Sequence, residues 1–217
     1  MKTRIKNKTI VVTGGCGFIG SRFINYVYYN TPHNIINVDK YTYAADHDRL
    51  PISIRDDNDR YHYLKADICD DIIKHEEIEN ADYVVNFAAE SHVDNSIEDG
   101  KPFVDTNIGG VYSLLEQFRN APNLKRFVQI STDEVYGDMD DYRGTTHATE
   151  SFSLKPSSYY SACKASADLL VQSAARTFGL KYLITRTCNN FGPGQDPKSL
   201  NVSGKEEMFL FTEMENR

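Results

Sequence analysis

No apolar run in this sequence approaches the ~20 residues needed to span a bilayer, and no signal-peptide core is visible. Met1 to Lys8 is basic, but only a short apolar segment follows it. A basic excess is missing too: 24 Lys and Arg stand against 31 Asp and Glu, a net charge of -7. That balance argues against a nucleic-acid footprint and against attraction to an anionic membrane. The acids are spread along the chain as on a solvated surface. The four cysteines, Cys16, Cys69, Cys163 and Cys188, lack the close spacing of a metal motif. Free thiols in a reducing, cytoplasmic setting are expected, with no metal. Repeats and low-complexity segments are also lacking. At 217 residues, 40% hydrophobic, the chain suffices for one well-buried domain, or one domain plus a small appendage.

What is present alternates strand and helix. Thr9 to Thr13 is β-branched and apolar, suiting a strand buried on both faces. Gly14, Gly17 and Gly20 follow in G-x-x-G-x-x-G spacing, then a helical pattern from Ser21 to Asn30 and a second strand from Asn34 to Asp39. Glycines at such a turn let a pyrophosphate approach a helix N-terminus. Asp39, at the end of the second strand, is placed to accept hydrogen bonds from adenosine ribose hydroxyls, which favours NAD over NADP. Tyr41 to Arg60 reads as a short helix and a surface loop. Further strands are expected at Tyr61–Ala66, Asp82–Phe87, Arg126–Ile130 and Lys181–Arg186, and helices at Asp70–Glu79, Pro102–Arg119 and Ser157–Phe178. Asp67 reads equally as an adenine contact or a helix cap. Small Ala88 and Ala89 permit close backbone approach to a cofactor. The pattern is α/β, a doubly wound parallel sheet whose ligands bind at the strands' carboxyl ends.

Two segments at those ends carry acid–base chemistry. Tyr160 and Lys164 lie four residues apart, on one helix face. Bringing a phenol from about 10 to about 7 takes roughly 4 kcal/mol, which a lysine ammonium and an oxidised nicotinamide together can supply. Tyr160 then serves as the base that takes a proton from an alcohol. The competing view is a Tyr and a Lys packed on a surface helix. Thr132-Asp133-Glu134 adds two adjacent carboxyls, whose pKa values tend to separate into one acid and one base. Simple alcohol oxidation has no use for them, whereas elimination of water from a ketone does. The same triplet also reads as a helix start, with Thr132 as N-cap.

Taken together, the motifs TGGCGFIG (from Thr13), VDKYTYA (from Val38), FAAESHVDNSI (from Phe87), TNIGG (from Thr106), STDEVYG (from Ser131), YSACKAS (from Tyr160) and TRTCNNFGPGQDP (from Thr185) resemble the extended short-chain dehydrogenase/reductase superfamily. Within it the chain is most similar to the nucleotide-sugar 4,6-dehydratases, nearest the dTDP-glucose 4,6-dehydratases. The resemblance covers about Lys8 to Pro197.

It implies a lyase acting on dTDP- or UDP-glucose with NAD on a Rossmann sheet. Phe18, Ile19, Asp39, Lys40, Thr42, Asp67, Ile68 and Asn190 would hold the cofactor, with Phe87, Ala88, Ala89, Ser91 and Thr106 lining the nicotinamide side. Ser91, Thr132 and Asn189 would contact the sugar. Tyr160 with Lys164 would serve oxidation at C4, Glu134 would take the C5 proton, and Asp133 would protonate the leaving C6 hydroxyl. Related 4-epimerases usually carry a small or hydroxyl residue in place of the Asp-Glu pair, and related decarboxylases keep only the glutamate. Relatives commonly dimerise through the helices here at 102–119 and 157–178.

Nothing family-like is recognisable in the last stretch, 201–217. The expectation is a chain shortened at its C-terminus relative to the family. Residues 1–200 would form the NAD-binding domain with the catalytic residues, and 201–217 a divergent, poorly ordered tail. Most of the region that grips the nucleotide diphosphate would be absent. Three readings follow: a working dehydratase, an NAD-binding module or partner subunit without efficient turnover, and a 4-epimerase.

Overall fold

A computed structural model of the chain describes residues 7–91, 93–138, 148–193 and 195, with the side chains of 93–95 excepted. The tail expected at 201–217 lies outside the described residues. Six strands form one sheet: β1 (Thr9–Thr13), β2 (Asn34–Asp39), β3 (Tyr61–Lys65), β4 (Tyr83–Asn86), β5 (Arg126–Thr132) and β6 (Tyr182–Thr187). Their order is β3-β2-β1-β4-β5-β6, and every pairing is parallel. This is the doubly wound sheet expected from the alternation of elements.

The strands are apolar on both faces because both faces are covered. Val11 packs with Val84, Phe127, Leu114, Phe118 and Val171 on one side. Its neighbours Ile10 and Val12 point the other way, among Ile24, Val27, Ile35, Ile54 and Val128. The first layer is built by α6 (Val111–Phe118) and α7 (Tyr159–Phe178), the second by α1 (Phe18–Asn30) and α2 (Ile52–Arg55). Helix α7 has sharp ends. Ser158 and Ser161 form a reciprocal capping box, and Gly179 closes the helix in the left-handed conformation at φ 74°.

Three elements depart from the pattern read in the sequence. The helix expected over Asp70–Glu79 shrinks to α3 (Glu76–Glu79). Gln117 of α6 explains the loss: its Oε1 accepts from the N–H groups of Ile72 and Ile73, and its Nε2 donates to Asp70 O. A distant side chain thus takes backbone groups that a local helix would have used. A short α4 (Val93–Glu98) was not anticipated. The helix expected over 102–119 begins as α5 (Lys101–Val104), passes through a π-helical stretch at Asp105–Gly110, and resumes as α6.

Near the strands' carboxyl ends a polar ladder crosses the sheet. The Thr13 hydroxyl donates to Asn86 Oδ1, and Asn86 Nδ2 donates to Gln129 Oε1 at 2.9 Å. All three residues are buried, so the ladder satisfies its members and penalises a slip of β1, β4 or β5. The apolar layer supplies most of the stability. Phe118→Ala is expected to cost ~3–5 kcal/mol in chemical denaturation. A loss below about 1 kcal/mol would mean that this face is not the core.

Candidate functional site

Because all strands run parallel, their carboxyl ends share one edge, and a cleft of about 400 Å3 opens there. Its floor is the glycine turn. Gly14 sits at φ +71°, and a Cβ there would lie 2.6 Å from the backbone nitrogen of Ala88. A Cβ on Gly20 would lie 2.3 Å from Gly14 O. Those contacts admit no side chain, so the end of β1, the end of β4 and the first turn of α1 meet as bare backbone. Phe18, Ile19 and Gly17 complete that wall, with the unpaired N–H groups of a 13-residue helix behind it.

At the β2 end, Asp39 is buried and already engaged. Its Oδ2 accepts from Cys16 N–H at 2.9 Å and its Oδ1 from Tyr41 N–H at 2.8 Å. The carboxylate is oriented by backbone, leaving its remaining lone pairs toward the cleft. Lys40 and Asp67, both expected at the adenosine end, pair with each other at 2.6 Å. Burial raises the Asp67 pKa, but the Cys69 N–H and the Lys40 ammonium outweigh it and hold the carboxyl below its usual value. Thr42 and Ile68 line the same end. Arg49, which no local signal marks, donates from Nη1 to Cys16 O and Ala44 O, stitching the glycine turn to the loop after β2.

Along the other half run Phe87, Ala88, Ala89, Ser91 and Thr106. Asn107, also unforeseen, clamps that segment. It accepts from Glu90 N–H at 2.8 Å and donates to Glu90 O at 2.9 Å. Asn107 sits within the π-helical stretch, and its side chain is buried.

The acid–base residues close this end. Strand β5 finishes at Thr132, whose hydroxyl caps a 3-10 turn (Asp133–Tyr136) by accepting from Glu134 N–H at 3.2 Å. The capping role read from sequence is therefore present. Thr132 and Glu134 line the cleft with Tyr160 and Lys164, as do Asn189 and Asn190 from the end of β6. Asp133 does not. Its carboxyl accepts from the Thr132 hydroxyl at 3.2 Å.

Tyr160 is not acidified by Lys164 in the protein alone: burial, then Glu134 and Asp133, push the phenol up to about 12, against a smaller opposing effect of Thr132. The Lys164 ammonium turns instead to the Ile130 carbonyl. Burial lowers its pKa to about 8, with Asp168 opposing. Burial, then Asp133, raises the Glu134 pKa above its ordinary value.

A sheet of this order over a glycine turn and an acidic β2 end defines a dinucleotide-binding α/β domain of the Rossmann type. The chain belongs to the NAD dependent epimerase/dehydratase family, which it matches over residues 10–208. It is 46% identical over 191 residues to the low-salt glycan biosynthesis protein Agl12 of Haloferax volcanii, covering 88% of this chain and 59% of that protein. To dTDP-glucose 4,6-dehydratase 1 of Escherichia coli it is 43% identical over 211 residues, covering 88% and 57%. The structure of DesIV, a dTDP-glucose 4,6-dehydratase from Streptomyces venezuelae solved with NAD and TYD, superposes with a TM-score of 0.81 at 39% identity, covering 89% and 59%. Solved sugar 4-epimerases superpose as well, at 26–30% identity. The chain thus spans under three-fifths of these dehydratases' length.

The buried lysine carries a pH signature. A folded pKa of about 8 lies below the ordinary lysine value of 10.5, so between those values the unfolded chain binds more protons. Stability contributed by this group is therefore missing below about pH 8 and gained as pH rises toward 10.5. Lys164→Met should flatten that rise in urea titrations compared with the parent. An identical slope in both proteins would refute it.

Proposed function

We propose that the chain carries the NAD-binding and catalytic half of a nucleotide-sugar 4,6-dehydratase, converting a dTDP- or UDP-activated glucose to the 4-keto-6-deoxy sugar. The carrying observation is that Thr132, Glu134, Tyr160 and Lys164 converge at one end of a cleft whose other end is the glycine turn and Asp39. The fit to a dinucleotide rests on the bare-backbone junction at Gly14 and Gly20 and on the oriented Asp39 carboxylate. Phe18, Ile19, Lys40, Thr42, Asp67, Ile68, Asn190 and the Phe87–Ser91 segment with Thr106 would hold the rest of it. When bound, NAD supplies the acceptor for oxidation at C4 and the donor for reduction at C6.

The protein's own groups move the protons. Tyr160 takes the C4 hydroxyl proton, and its high pKa in the protein alone makes a nearby positive charge a requirement. The Phe87–Ser91 segment and Thr106 would hold the oxidised nicotinamide that would supply that charge, with Lys164 supporting Tyr160 from the same helix. Glu134 then removes the C5 proton, acidified by the new ketone. Asp133, whose carboxyl accepts from the Thr132 hydroxyl, delivers a proton to the departing C6 hydroxyl. Ser91, Thr132 and Asn189 orient the sugar. This pairing of carboxyls separates the reading from a 4-epimerase, whose chemistry needs no elimination.

A second reading has its own support. The chain spans 57–59% of its relatives' length, and remote binding energy positions a reacting carbon. An NAD-binding module or partner subunit with little turnover fits that fact. Incubation with NAD and dTDP- or UDP-glucose decides between them. The dehydratase reading expects 4-keto-6-deoxy product. Calorimetric NAD binding without product at high protein concentration would favour the module. Glu134→Gln should slow dehydration ~100–10,000-fold while oxidation at C4, followed by reduced-nicotinamide absorbance, persists. Normal turnover in that variant would refute Glu134 as the C5 base.

A second copy of the chain is the proposed partner at the outer face of α5, α6 and α7. Val104, Tyr112, Tyr159 and Leu169 stand exposed there, apart from the residues that face the core. Leu169→Glu should convert a dimer to a monomer in sedimentation. A parent protein that sediments as a monomer would discard this interface. Among the described residues, no helix is long and apolar enough to cross a membrane.

A further inference from the structure

Against the glycine turn lies a buried polar network that the proposed chemistry does not use. Asn37, inside β2, is fully buried. Its Nδ2 donates to the Tyr61 hydroxyl at 2.9 Å and to Cys16 Sγ at 3.5 Å. The same side chain fills the space beside Gly15, where an added Cβ would lie 2.2 Å from Asn37 Oδ1. Tyr61, on β3, is buried too, and its hydroxyl meets His47 Nε2 at 2.9 Å. His47 opens a short 3-10 turn (His47–Arg49) in the segment after β2, and its ring lies 4.7 Å from that of Tyr63 between centroids. A hydrogen bond or a close packing contact joins each step from His47 through Tyr61 and Asn37 to Gly15 and Cys16.

Cys16 gathers the network's hold on the turn. Its N–H donates to Asp39 Oδ2, and its carbonyl accepts from Asp46 N–H at 2.9 Å and from Arg49 Nη1 at 3.0 Å. Its sulfur takes the Asn37 amide. Proton bookkeeping then fixes the state of His47. The Tyr61 oxygen accepts from Asn37, and the hydroxyl has one proton to give. His47 Nε2 is the acceptor in reach, so that nitrogen is bare and the ring proton sits on Nδ1. A protonated His47 would present a second donor to the hydroxyl and strand its proton in a buried place. Asn37 Oδ1, buried without a partner, faces Gly15, so using it instead means turning the amide over against the glycine turn.

Facing the His47 ring are Asp46 and Asp48 from its own segment, Arg55 of α2, Asp39 of β2, and Tyr61 and Tyr63 of β3. Arg55 pairs with Asp48 at 2.5 Å. Burial, then Arg55, holds His47 below the ordinary histidine value against the three aspartates, which keeps the ring neutral at neutral pH.

We propose that His47, acting through Tyr61 and Asn37, is a positioning residue for the dinucleotide turn: its bare Nε2 takes the Tyr61 proton, which keeps the Asn37 amide set against Gly15 and Cys16 where a pyrophosphate would sit. The inference rests on the reading of NAD as the ligand of that turn. NAD affinity should therefore fall as pH drops through the His47 midpoint, approaching about tenfold per pH unit below it.

In the full chain labelled with 15N histidine, the His47 ring signals are assigned by their through-space contact with the Tyr63 ring. The parent should show a protonated Nδ1 and a bare Nε2 at neutral pH, and the opposite tautomer overturns the proposal. NAD binding is then followed by calorimetry from about pH 5 to about pH 8, the range in which histidine titrates, in the parent, His47→Gln and Tyr61→Phe. Glutamine offers an acceptor that no proton can block, so His47→Gln should match the parent at neutral pH and lose its fall at low pH. Tyr61→Phe cuts the link and should bind NAD ~10-fold more weakly. Parallel pH profiles in the parent and His47→Gln, or parental affinity in Tyr61→Phe, overturn the proposal. If the variants do not fold, the parent decides, because by reciprocity bound NAD must lower the His47 midpoint. NAD binding with an unmoved midpoint removes this proposal alone, whereas a parent that binds no NAD at any pH removes the cofactor reading and this proposal with it.

Discussion

The cleft depends on one close approach: the backbone of Gly14 against the backbone of Ala88. Gly14 N–H donates to Val38 O at 2.9 Å, so the same residue also ties β1 to β2. With no side chain between them, the ends of β1, β2 and β4 stay close enough for one ligand to touch all three. The Thr13–Asn86–Gln129 ladder just below fixes the same strands laterally. A polar chain inside an otherwise apolar sheet costs desolvation that its hydrogen bonds offset, and in return it makes alternative registers expensive. The stiffness of this floor lets mobile polar side chains above it be aimed.

The upper half of the site works by a different logic. There, charges are buried in order to be used. Lys164, Glu134 and Tyr160 are all displaced from their ordinary pKa values, mainly by burial. Desolvation pushes each toward its neutral form, and specific neighbours oppose or reinforce it. The resting protein therefore favours a protonated Tyr160. A cation brought beside the phenol would oppose that shift.

Much of this was legible in the sequence because it is local. Strands buried on both faces are written as runs such as Ile10-Val11-Val12, and the glycine turn announces itself by spacing. The cleft wall from Gly14 to Asn190 follows once the strands are known to be parallel, since their ends must share an edge. What escaped is long-range. Gln117 takes backbone groups of Ile72 and Ile73, 45 and 44 residues upstream, and nothing in Asp70–His75 foretells it. Asn107 and Arg49 look like ordinary helix and turn residues until their partners are brought alongside. The bond that holds the Asp133 carboxyl to the Thr132 hydroxyl escaped too, because a triplet of letters does not state how a 3-10 turn arranges its side chains.

The π-helical stretch at Asp105–Gly110 has a genetic consequence. A π turn is an α-helix holding one residue too many, so deleting any single codon there would restore regular helix at little cost to the helix itself. The upstream part would rotate by about 100° relative to Val111 and beyond, swinging Asn107 off Glu90 and Thr106 off the cleft. The reading frame would survive and the core of α6 would remain packed. On this face of the sheet, then, one helix keeps two registers at once: the downstream half is phased to the core, the upstream half to the cleft, and the surplus residue is the spacer that lets both be satisfied.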